Sequence, residues 1–367
     1  AGVCLHMIDF RSDTVTRPTK VMQDVMYKAP LGDDVFSDDP SINALQEFAA
    51  EKFGFAGALF APSGTMTNLI ALMSHCQRGD EAIVGQNWHT YKWEGGGMAV
   101  LGSIQPQPLA HQADGSIALH DIAAAIKPDD PHFAKTRLVV VENTTGGQVL
   151  PISYMHAVAD LAKQHKLSSH IDGARIMNAA VAIANRNNGD VWQTARELVA
   201  GFDSISVCLS KGLGAPVGSL LLGDTEFLKR AKRVRKMLGG GMRQAGMLAA
   251  AGQYALSNHV ERLADDHNNA ANLANGFSAM AEELELGAKF IVTQPQTNII
   301  FCDLSADLAQ HFVSELAKLN ILCISSSYKT NDGSRTKLRL VTHLDISAND
   351  IETTLTHSRQ ILAAFNN

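Results

Sequence analysis

The sequence predicts an α/β protein with a mostly parallel sheet and two domains. Apolar runs of strand length alternate with helical stretches along most of the chain, which is the pattern of strands joined by covering helices. The chain has 367 residues, more than one hydrophobic core usually serves. Hydrophobic residues make up 46% and charged residues 19% of it, as in ordinary globular proteins.

The elements are predicted in chain order from this pattern. A polar, extended arm over residues 8–20 precedes the helix 43–54, which stops at Gly54 as many helices do. A strand, a turn and a helix follow within 58–76. The remaining strands of the large sheet are predicted at 81–85, 137–143, 167–172, 203–210 and 218–223.

The C-terminal part predicts a smaller α/β unit. A long helical region over 224–287 precedes strands at 297–304, 321–325 and 338–344, and we interpret residues 326–337 between the last two as a polar loop. We therefore divide the chain into an N-terminal arm (1–20), a large domain (21–250) and a small C-terminal domain (251–367).

Charge and cysteine content exclude several classes of protein. The net charge of −6 argues against a nucleic-acid partner, which needs a basic surface. Five cysteines without a C-x-x-C pair predict neither a disulfide framework nor a metal site, and favour the reducing cytoplasm. We expect no membrane contact, because no apolar stretch approaches about 20 residues. The start lacks the features of a signal peptide, and we expect residues 1–6 to precede a natural start at Met7.

The stretch "PSGTMTNL" opens a predicted helix directly after a strand. Helix N-termini bind phosphate through free N–H groups and a partial positive charge. Ser63, Gly64 and Thr65 would supply backbone and hydroxyl donors. The alternative is an ordinary capping turn, which serine and threonine also favour.

Asp172, in "HIDGAR", stands at the carboxyl end of a predicted strand, where open α/β sheets bind ligands. A carboxylate there needs a cation or several N–H donors, and a protonated ring nitrogen of a cofactor would serve. The alternative is an aspartate that caps the next helix. Arg175 suits a substrate carboxylate, or else a surface salt bridge.

Lys211 lies at the end of a later apolar run and is followed by a glycine-rich turn. A lysine in a partly apolar site beside another cation loses basicity, and its neutral amine can attack an aldehyde. The alternative is a lysine at a β-turn. Residues 212–218 half-match a dinucleotide motif, but Pro216 breaks the helix that this motif should open, so a nicotinamide enzyme is disfavoured.

Two further residues, His89 and Arg243, complete the set of candidate site residues. His89 follows a strand and is suited to stacking on a flat ring, donating a proton or lying in a loop. Arg243 follows three glycines that would allow close approach to a phosphate on a neighbouring subunit. A phosphate-binding helix start, a strand-end aspartate, a strand-end lysine and a ring partner are together what pyridoxal 5'-phosphate (PLP) requires.

From Ile8 to the C-terminus the sequence resembles the low-specificity L-threonine aldolases, which have the aspartate-aminotransferase-like fold of PLP enzymes. The resemblance rests on "DFRSDTVTRPT", "GDDVFSDDPSINAL", "PSGTMTNLIALMSHCQRGD", "HIDGARIMNA", "SISVCLSKGLGAPVGSLL", "RKMLGGGMRQAG" and "LRLVTHLDIS".

The resemblance implies roles for individual residues. Lys211 forms the Schiff base with PLP, Asp172 pairs with the ring nitrogen and His89 stacks on the ring. Further implied contacts to the cofactor phosphate come from Ser63, Gly64, Thr65, Ser210 and Arg243, the last from a neighbouring subunit. The substrate carboxylate is bound by Ser12, Arg175 and Arg339. The implied assembly is a homotetramer, a dimer of dimers with sites at the dimer interface.

Two departures from the family pattern bear on the reaction. Thr145 replaces a histidine near the substrate hydroxyl, and Phe36 replaces a tyrosine. Because a threonine hydroxyl is a poor base at neutral pH, the proton acceptor falls to His89 or a water that it holds. We expect cleavage of L-threonine to glycine and acetaldehyde, with an alanine-type racemase or another PLP lyase as the alternative and a non-catalytic scaffold as a third hypothesis.

Overall fold

The computed structural model describes residues 6–331 and 333–366. The chain divides into two compact units: unit 1 comprises the described parts of 1–17 and 262–367, and unit 2 comprises 18–261. The predicted boundary at 250 falls inside a helix, Gly246–Asn258, and the predicted division into domains stays a prediction. Cys4 and most of the segment 1–6 lie outside the described residues. None of the helices described is both long and apolar enough to cross a bilayer.

Strands and helices are numbered in chain order over the described residues. The strands are β1 (Ile8–Asp9), β2 (Gly57–Ala61), β3 (Asp80–Gly85), β4 (Gln105–Leu109), β5 (Lys135–Glu142), β6 (Ser168–Asp172), β7 (Ser204–Cys208), β8 (Ser219–Gly223), β9 (Phe290–Thr293), β10 (Ile299–Ser305), β11 (Ile321–Leu322), β12 (Ile324–Thr330) and β13 (Gly333–Val341). The α-helices are α1 (Lys20–Lys28), α2 (Pro40–Phe53), α3 (Gly64–His75), α4 (His89–Lys92), α5 (Gly97–Val100), α6 (Leu119–Ala125), α7 (Ile152–Gln164), α8 (Ile176–Asn187), α9 (Val191–Val199), α10 (Thr225–Met237), α11 (Gly246–Asn258), α12 (Leu263–Glu283), α13 (Ala306–Lys318) and α14 (Ala348–Asn366).

Unit 2 is built on a seven-stranded sheet in the order β2-β8-β7-β6-β5-β3-β4. The strands from β4 to β7 pair in parallel, and β8 is antiparallel to both of its neighbours. Every residue of β7 and β8 is buried, as expected when helices cover both faces. The prediction of a mostly parallel α/β sheet is confirmed, and the carboxyl ends of β5, β6 and β7 share one edge.

Local signals in the sequence set the ends of the helices in unit 2. Asp39 caps the N-terminus of helix α2, and its side chain accepts hydrogen bonds from two helix N–H groups. Gly54 caps the C-terminus with φ +79°, where the missing Cβ avoids strain. The predicted helical region 224–287 contains three helices. The first break between them includes Gly239, also left-handed at φ +84°.

Unit 1 contains an antiparallel sheet in the order β12-β13-β10-β9 and a separate parallel pair, β1 and β11. Phe277, Phe290 and Phe312 meet edge to face in its core. Ile8 and Phe10 are buried in the same core. The prediction of an unpacked arm is therefore wrong for residues 8–10, because these two apolar side chains alternate with a polar one, as in a strand with one buried face.

The prediction of a loop over 326–337 is also wrong for the described residues. Strands β12 and β13 extend through it as a hairpin, with Thr330 paired to Gly333; residue 332 lies outside the described residues. Every residue of β12 is exposed, so the strand lacks the apolar alternation by which strands are recognised in a sequence. Its threonine and tyrosine side chains nevertheless favour a strand.

Candidate active site

The carboxyl ends of three neighbouring strands place three ionisable side chains at one edge of the sheet. Glu142 ends β5 and pairs in register with Asp172, which ends β6. The adjacent strand β7 ends at Cys208, and the chain continues through Ser210 to Lys211. This edge is where open α/β sheets bind ligands, and it was predicted from Asp172 and Lys211.

Asp172 is buried, with 2% of its surface exposed, and both of its oxygens accept hydrogen bonds. Asn68 Nδ2 donates to Oδ2 at 2.9 Å and the Ala174 N–H donates to Oδ1 at 3.1 Å. The residue capping α8 is Arg175, so the alternative interpretation of Asp172 as the helix cap is wrong. Both of these donors are neutral dipoles.

Lys211 and Arg175 line the same small cavity, together with Ala174 and Leu213. Lys211 is partly buried, and its carbonyl accepts a hydrogen bond from the Gly214 N–H at 2.9 Å. The backbone therefore makes the turn that the alternative interpretation expected, while the side chain faces a cavity shared with Arg175.

His89 begins α4 and is held at two points. Its backbone N–H donates to Glu142 Oε2 at 2.6 Å, and its Nδ1 bonds to Glu94 Oε1 at 2.8 Å. The hydrogen bond to Glu94 raises the pKa of His89; burial and the Lys211 charge oppose this rise, while Asp172 adds to it. About two-fifths of the side chain is exposed, at 42%, so the imidazole is accessible as well as anchored.

Glu142 and Glu94 are site residues that the sequence prediction missed. Burial and the neighbouring Asp172 raise the pKa of Glu142 to about 8. Burial also raises the pKa of Glu94, against the hydrogen bonds that it accepts from His89 and Asn68. Glu142 had a signal, since it lies one residue before the end of the predicted strand 137–143, whereas the loop that carries Glu94 has no such pattern.

Polar atoms of His89, Glu94 and Asp172 lie within 4.8 Å of one another. Asn68 Nδ2 donates to both carboxylates at 2.9 Å. Because these N–H groups turn their positive ends toward the carboxylates, the amide takes the place that a cation would need. We therefore assign the cluster to hydrogen bonding, and the predicted lack of a metal stays a prediction.

The start of α3 lies beside the chain that leads to Lys211. Ser63 caps the helix by accepting from the Met66 N–H at 3.2 Å, which confirms the capping interpretation. The Gly64 and Thr65 N–H groups have no acceptor among the residues that the structure describes. A Cβ placed on Gly64 would lie 4.0 Å from Cys208 Cβ, and Cys208 Sγ is 3.5 Å from Ser210 Oγ. The free N–H groups at the start of α3 therefore lie next to the segment that leads from Cys208 to Lys211.

The other predicted site residues have different surroundings. Arg243 forms an ion pair with Asp33 at 3.0 Å. Thr145 accepts a hydrogen bond from Trp88 Nε1 at 3.0 Å. Ser12 and Arg339 both belong to unit 1: Ser12 caps a short 3₁₀ helix, and Arg339 Nη1 donates to the carbonyl next to it, Arg11 O, at 3.1 Å.

Comparison with known proteins shows similarity along nearly the whole chain. Residues 9–307 match the family model described as beta-eliminating lyase. A low specificity L-threonine aldolase from Escherichia coli O157:H7 is 49% identical over 358 residues, which cover 97% of this chain and 100% of that protein.

Solved structures share the fold at low sequence identity. The threonine aldolase of Leishmania major has a TM-score of 0.80 and 20% identity, covering 97% of this chain and 100% of that one. A variant of serine palmitoyltransferase from S. paucimobilis with a bound PLP-myriocin aldimine has a TM-score of 0.69 and 16% identity, covering 98% of this chain and 87% of that one. These likenesses confirm the predicted fold class.

Proposed function

The chain belongs to the beta-eliminating lyase family, and on that premise we propose that it is a PLP-dependent aldolase. It cleaves L-threonine, L-allo-threonine and related β-hydroxy-α-amino acids to glycine and an aldehyde, which is acetaldehyde from threonine. The observation that carries this proposal is the meeting of Asp172, His89 and Lys211 at one sheet edge. The curated relative named above, an L-threonine aldolase, favours threonine cleavage over the racemase alternative.

The donor set of this edge fits PLP. The Asp172 carboxylate is suited to a protonated ring nitrogen, because its oxygens accept from two neutral donors in the part of the chain that the structure describes. The Gly64 and Thr65 N–H groups, which lack described acceptors, suit a phosphate at the start of α3. Ser63 and Ser210 would add hydroxyl donors. Lys211 supplies the amine that carries the cofactor.

When bound, PLP stabilises the negative charge that develops at Cα as the Cα–Cβ bond breaks. The chain's own residues orient the substrate and move protons. Arg175, on the rim of the Lys211 cavity, binds the substrate carboxylate, and Ser12 and Arg339 stay predictions for the same role. His89 accepts the proton of the β-hydroxyl, directly or through a water. The Lys211 side chain, in its ammonium form, donates a proton to Cα, which balances the proton that His89 has taken from the β-hydroxyl.

We assign Thr145 to substrate binding rather than to proton transfer. Its hydroxyl is a poor base and already accepts a hydrogen bond from Trp88. This contact fixes the orientation of the hydroxyl toward the indole. We therefore assign Thr145 to substrate binding and leave the acceptor role to His89.

Product analysis tests the proposal. The purified protein with PLP should convert L-threonine to equal amounts of glycine and acetaldehyde, and borohydride treatment should add the mass of the cofactor to the peptide that contains Lys211. Lys211→Ala should lose both properties. Lys127→Ala is the matched control, since Lys127 is also partly buried but pairs with the buried Glu81 at 3.4 Å. Loss of optical activity from L-alanine without glycine from threonine would establish a racemase instead.

We further propose a cytoplasmic homotetramer in which Arg243 binds the cofactor phosphate of a neighbouring subunit. Arg243 is exposed and lies in the same unit as large exposed side chains, among them Tyr27, Phe36 and Met237 at 88%, 72% and 68%. Where such residues form a contiguous patch, they are typical of interfaces. Sedimentation should give four chains per particle, and Arg243→Ala should bind PLP more weakly.

A further inference from the structure

A line of neutral hydrogen-bonding groups leads from the interior of unit 2 to the site. Asn68 is 2% exposed and connects three side chains: its Nδ2 donates to Glu94 Oε1 and Asp172 Oδ2, each at 2.9 Å, and its Oδ1 lies 3.1 Å from His170 Nε2. Beyond it, His170 Nδ1 is 2.8 Å from Ser204 Oγ, which is 2.7 Å from His75 Nε2.

The chemistry of these groups gives the line one direction. Carboxylate oxygens only accept, so the Asn68 amide N–H groups must face Glu94 and Asp172. The Asn68 oxygen then requires His170 to carry its proton on Nε2, and Ser204 must donate to His170 Nδ1. His75 in turn donates to Ser204. Burial keeps both histidines neutral by lowering their pKa values, so every dipole has its positive end toward the carboxylates.

Glu94 connects this line to His89. Its side chain is 4% exposed, and Oε1 receives both Asn68 Nδ2 and His89 Nδ1. Because a carboxylate accepts only, His89 must carry a proton on Nδ1, which leaves Nε2 as the ring nitrogen for proton transfer. The other charged groups facing His89 are Asp172, Glu142 and Lys211.

We propose that Glu94 is a positioning residue of the site. It fixes the tautomer of His89, increases the affinity of the ring for a proton, and through Asn68 ties His89 to Asp172, so that the proton acceptor and the ring-nitrogen partner are set as one unit. This role deepens the proposed aldolase function and rests on it for its effect on cleavage. The tautomer and proton affinity of His89 belong to the protein alone.

Nuclear magnetic resonance of the full-length chain labelled at histidine Cε1 tests the proposal without substrate. His89→Asn assigns the His89 signal, and a pH titration then gives its pKa in each variant, with and without PLP. Glu94→Gln should lower that pKa by about one unit, and Glu94→Asp should lower it less. Glu47→Gln, an exposed change on α2, should leave it unchanged.

Kinetics supply the second measurement. The pH profile of kcat/KM on L-threonine should move in Glu94→Gln in the same direction as the His89 pKa, with kcat reduced about ten-fold and KM little changed. An unshifted His89 pKa in Glu94→Gln overturns the proposal, and if that variant does not fold, an unshifted pKa in Glu94→Asp does so. A shifted pKa in a chain that does not cleave threonine would instead reject the aldolase function.

Discussion

Each unit of this chain buries carboxylates, but the two units compensate them differently. In unit 1, Asp266 is fully buried and forms an ion pair with Arg262 at 2.5 Å. In unit 2, the donors to the Asp172 oxygens among the described residues are an amide and a backbone N–H, and Glu142 accepts from the backbone of His89. We call the first arrangement closed, because a cation of the protein compensates the buried carboxylate. We call the second open, because its carboxylate charge is available to a cationic ligand.

Unit 2 also contains the closed arrangement away from the sheet edge. Asp34 and Arg235 form an ion pair at 2.6 Å with both side chains 5% exposed. Burial alone therefore does not distinguish a site carboxylate from a structural one. The identity of the partner does, because an unpaired buried carboxylate is costly unless a ligand or neighbouring group compensates it.

The largest effect that separates the two arrangements is expected from Asp172→Asn. An amide keeps the size of the side chain but lacks the negative charge that stabilises a protonated ring nitrogen, so we expect kcat to fall about 10²–10³-fold while the melting temperature stays near that of the wild type. Steady-state kinetics and thermal unfolding measure the two quantities. A variant that retained threonine cleavage would remove Asp172 from the reaction.

The reverse result is expected for Arg262→Met in unit 1. Methionine keeps the aliphatic bulk but leaves Asp266 without its cation, so we expect the free energy of unfolding at pH 7 to fall by about 1.4 kcal/mol. Burial already raises the pKa of Asp266 to about 6, and the hydrogen bond and charge of Arg262 oppose this rise.

The pH dependence of this variant follows from that shift. Below the unfolded-state pKa near 3.8, Asp266 is protonated in both states and Arg262 has no charge to compensate. The loss in Arg262→Met should therefore be small near pH 4 and grow toward pH 7. Denaturant titrations at several pH values measure it, and a loss independent of pH would mean that Arg262 acts through packing alone.

The residues of the sheet edge in unit 2 and the strands of unit 1 also differ in how well the sequence predicts them. Asp172 and Lys211 were found because buried parallel strands are visible as apolar runs, and their carboxyl ends share an edge. Glu94 and Asn68 were not found, because one lies in a loop and the other inside a helix, and only the tertiary fold brings them together. In unit 1, the exposed strand β12 lacks the apolar alternation that strand prediction needs, and the buried Ile8 and Phe10 were too short a pattern to recognise.

An effect of opposite sign is expected from Glu142→Gln. Since the folded-state pKa of Glu142 is raised from 4.5 to about 8, folding binds a proton at this carboxyl between these values, and stability falls as the pH rises through the interval. Glutamine removes that cost and keeps an oxygen for the His89 N–H. Because Glu142 is partly exposed, solvent reduces the gain, which we expect to be about 1–3 kcal/mol at pH 8.

The gain should be smaller at pH 5 than at pH 8, and thermal unfolding of the PLP-free chain at both values measures it. Arg262→Met and Glu142→Gln thus respond to rising pH in opposite directions, as the two arrangements require. Equal gains at both pH values would contradict an ionisation origin and indicate a packing effect.

The smallest effect is expected from a change at Thr145, which we assign to substrate binding in the open arrangement. Trp88 Nε1 donates to Thr145 Oγ1 at 3.0 Å, and a Cβ on Gly115 would lie 2.4 Å from Thr145 Cγ2, so this position is closely walled. Thr145→His must displace the indole contact. We expect it to change the ratio of kcat/KM for L-threonine and L-allo-threonine about five-fold, which corresponds to about 1 kcal/mol.

Trp88→Phe is the matched control, since it removes the N–H donor but keeps an aromatic ring beside Thr145. We expect it to shift the same ratio less than Thr145→His does, because the Thr145 hydroxyl stays in place and loses only its orienting partner. Rates on both diastereomers and on phenylserine measure the effect. An unchanged ratio in Thr145→His would show that position 145 does not set the diastereomer preference, and the walls formed by Trp88 and Gly115 would then be the next residues to vary.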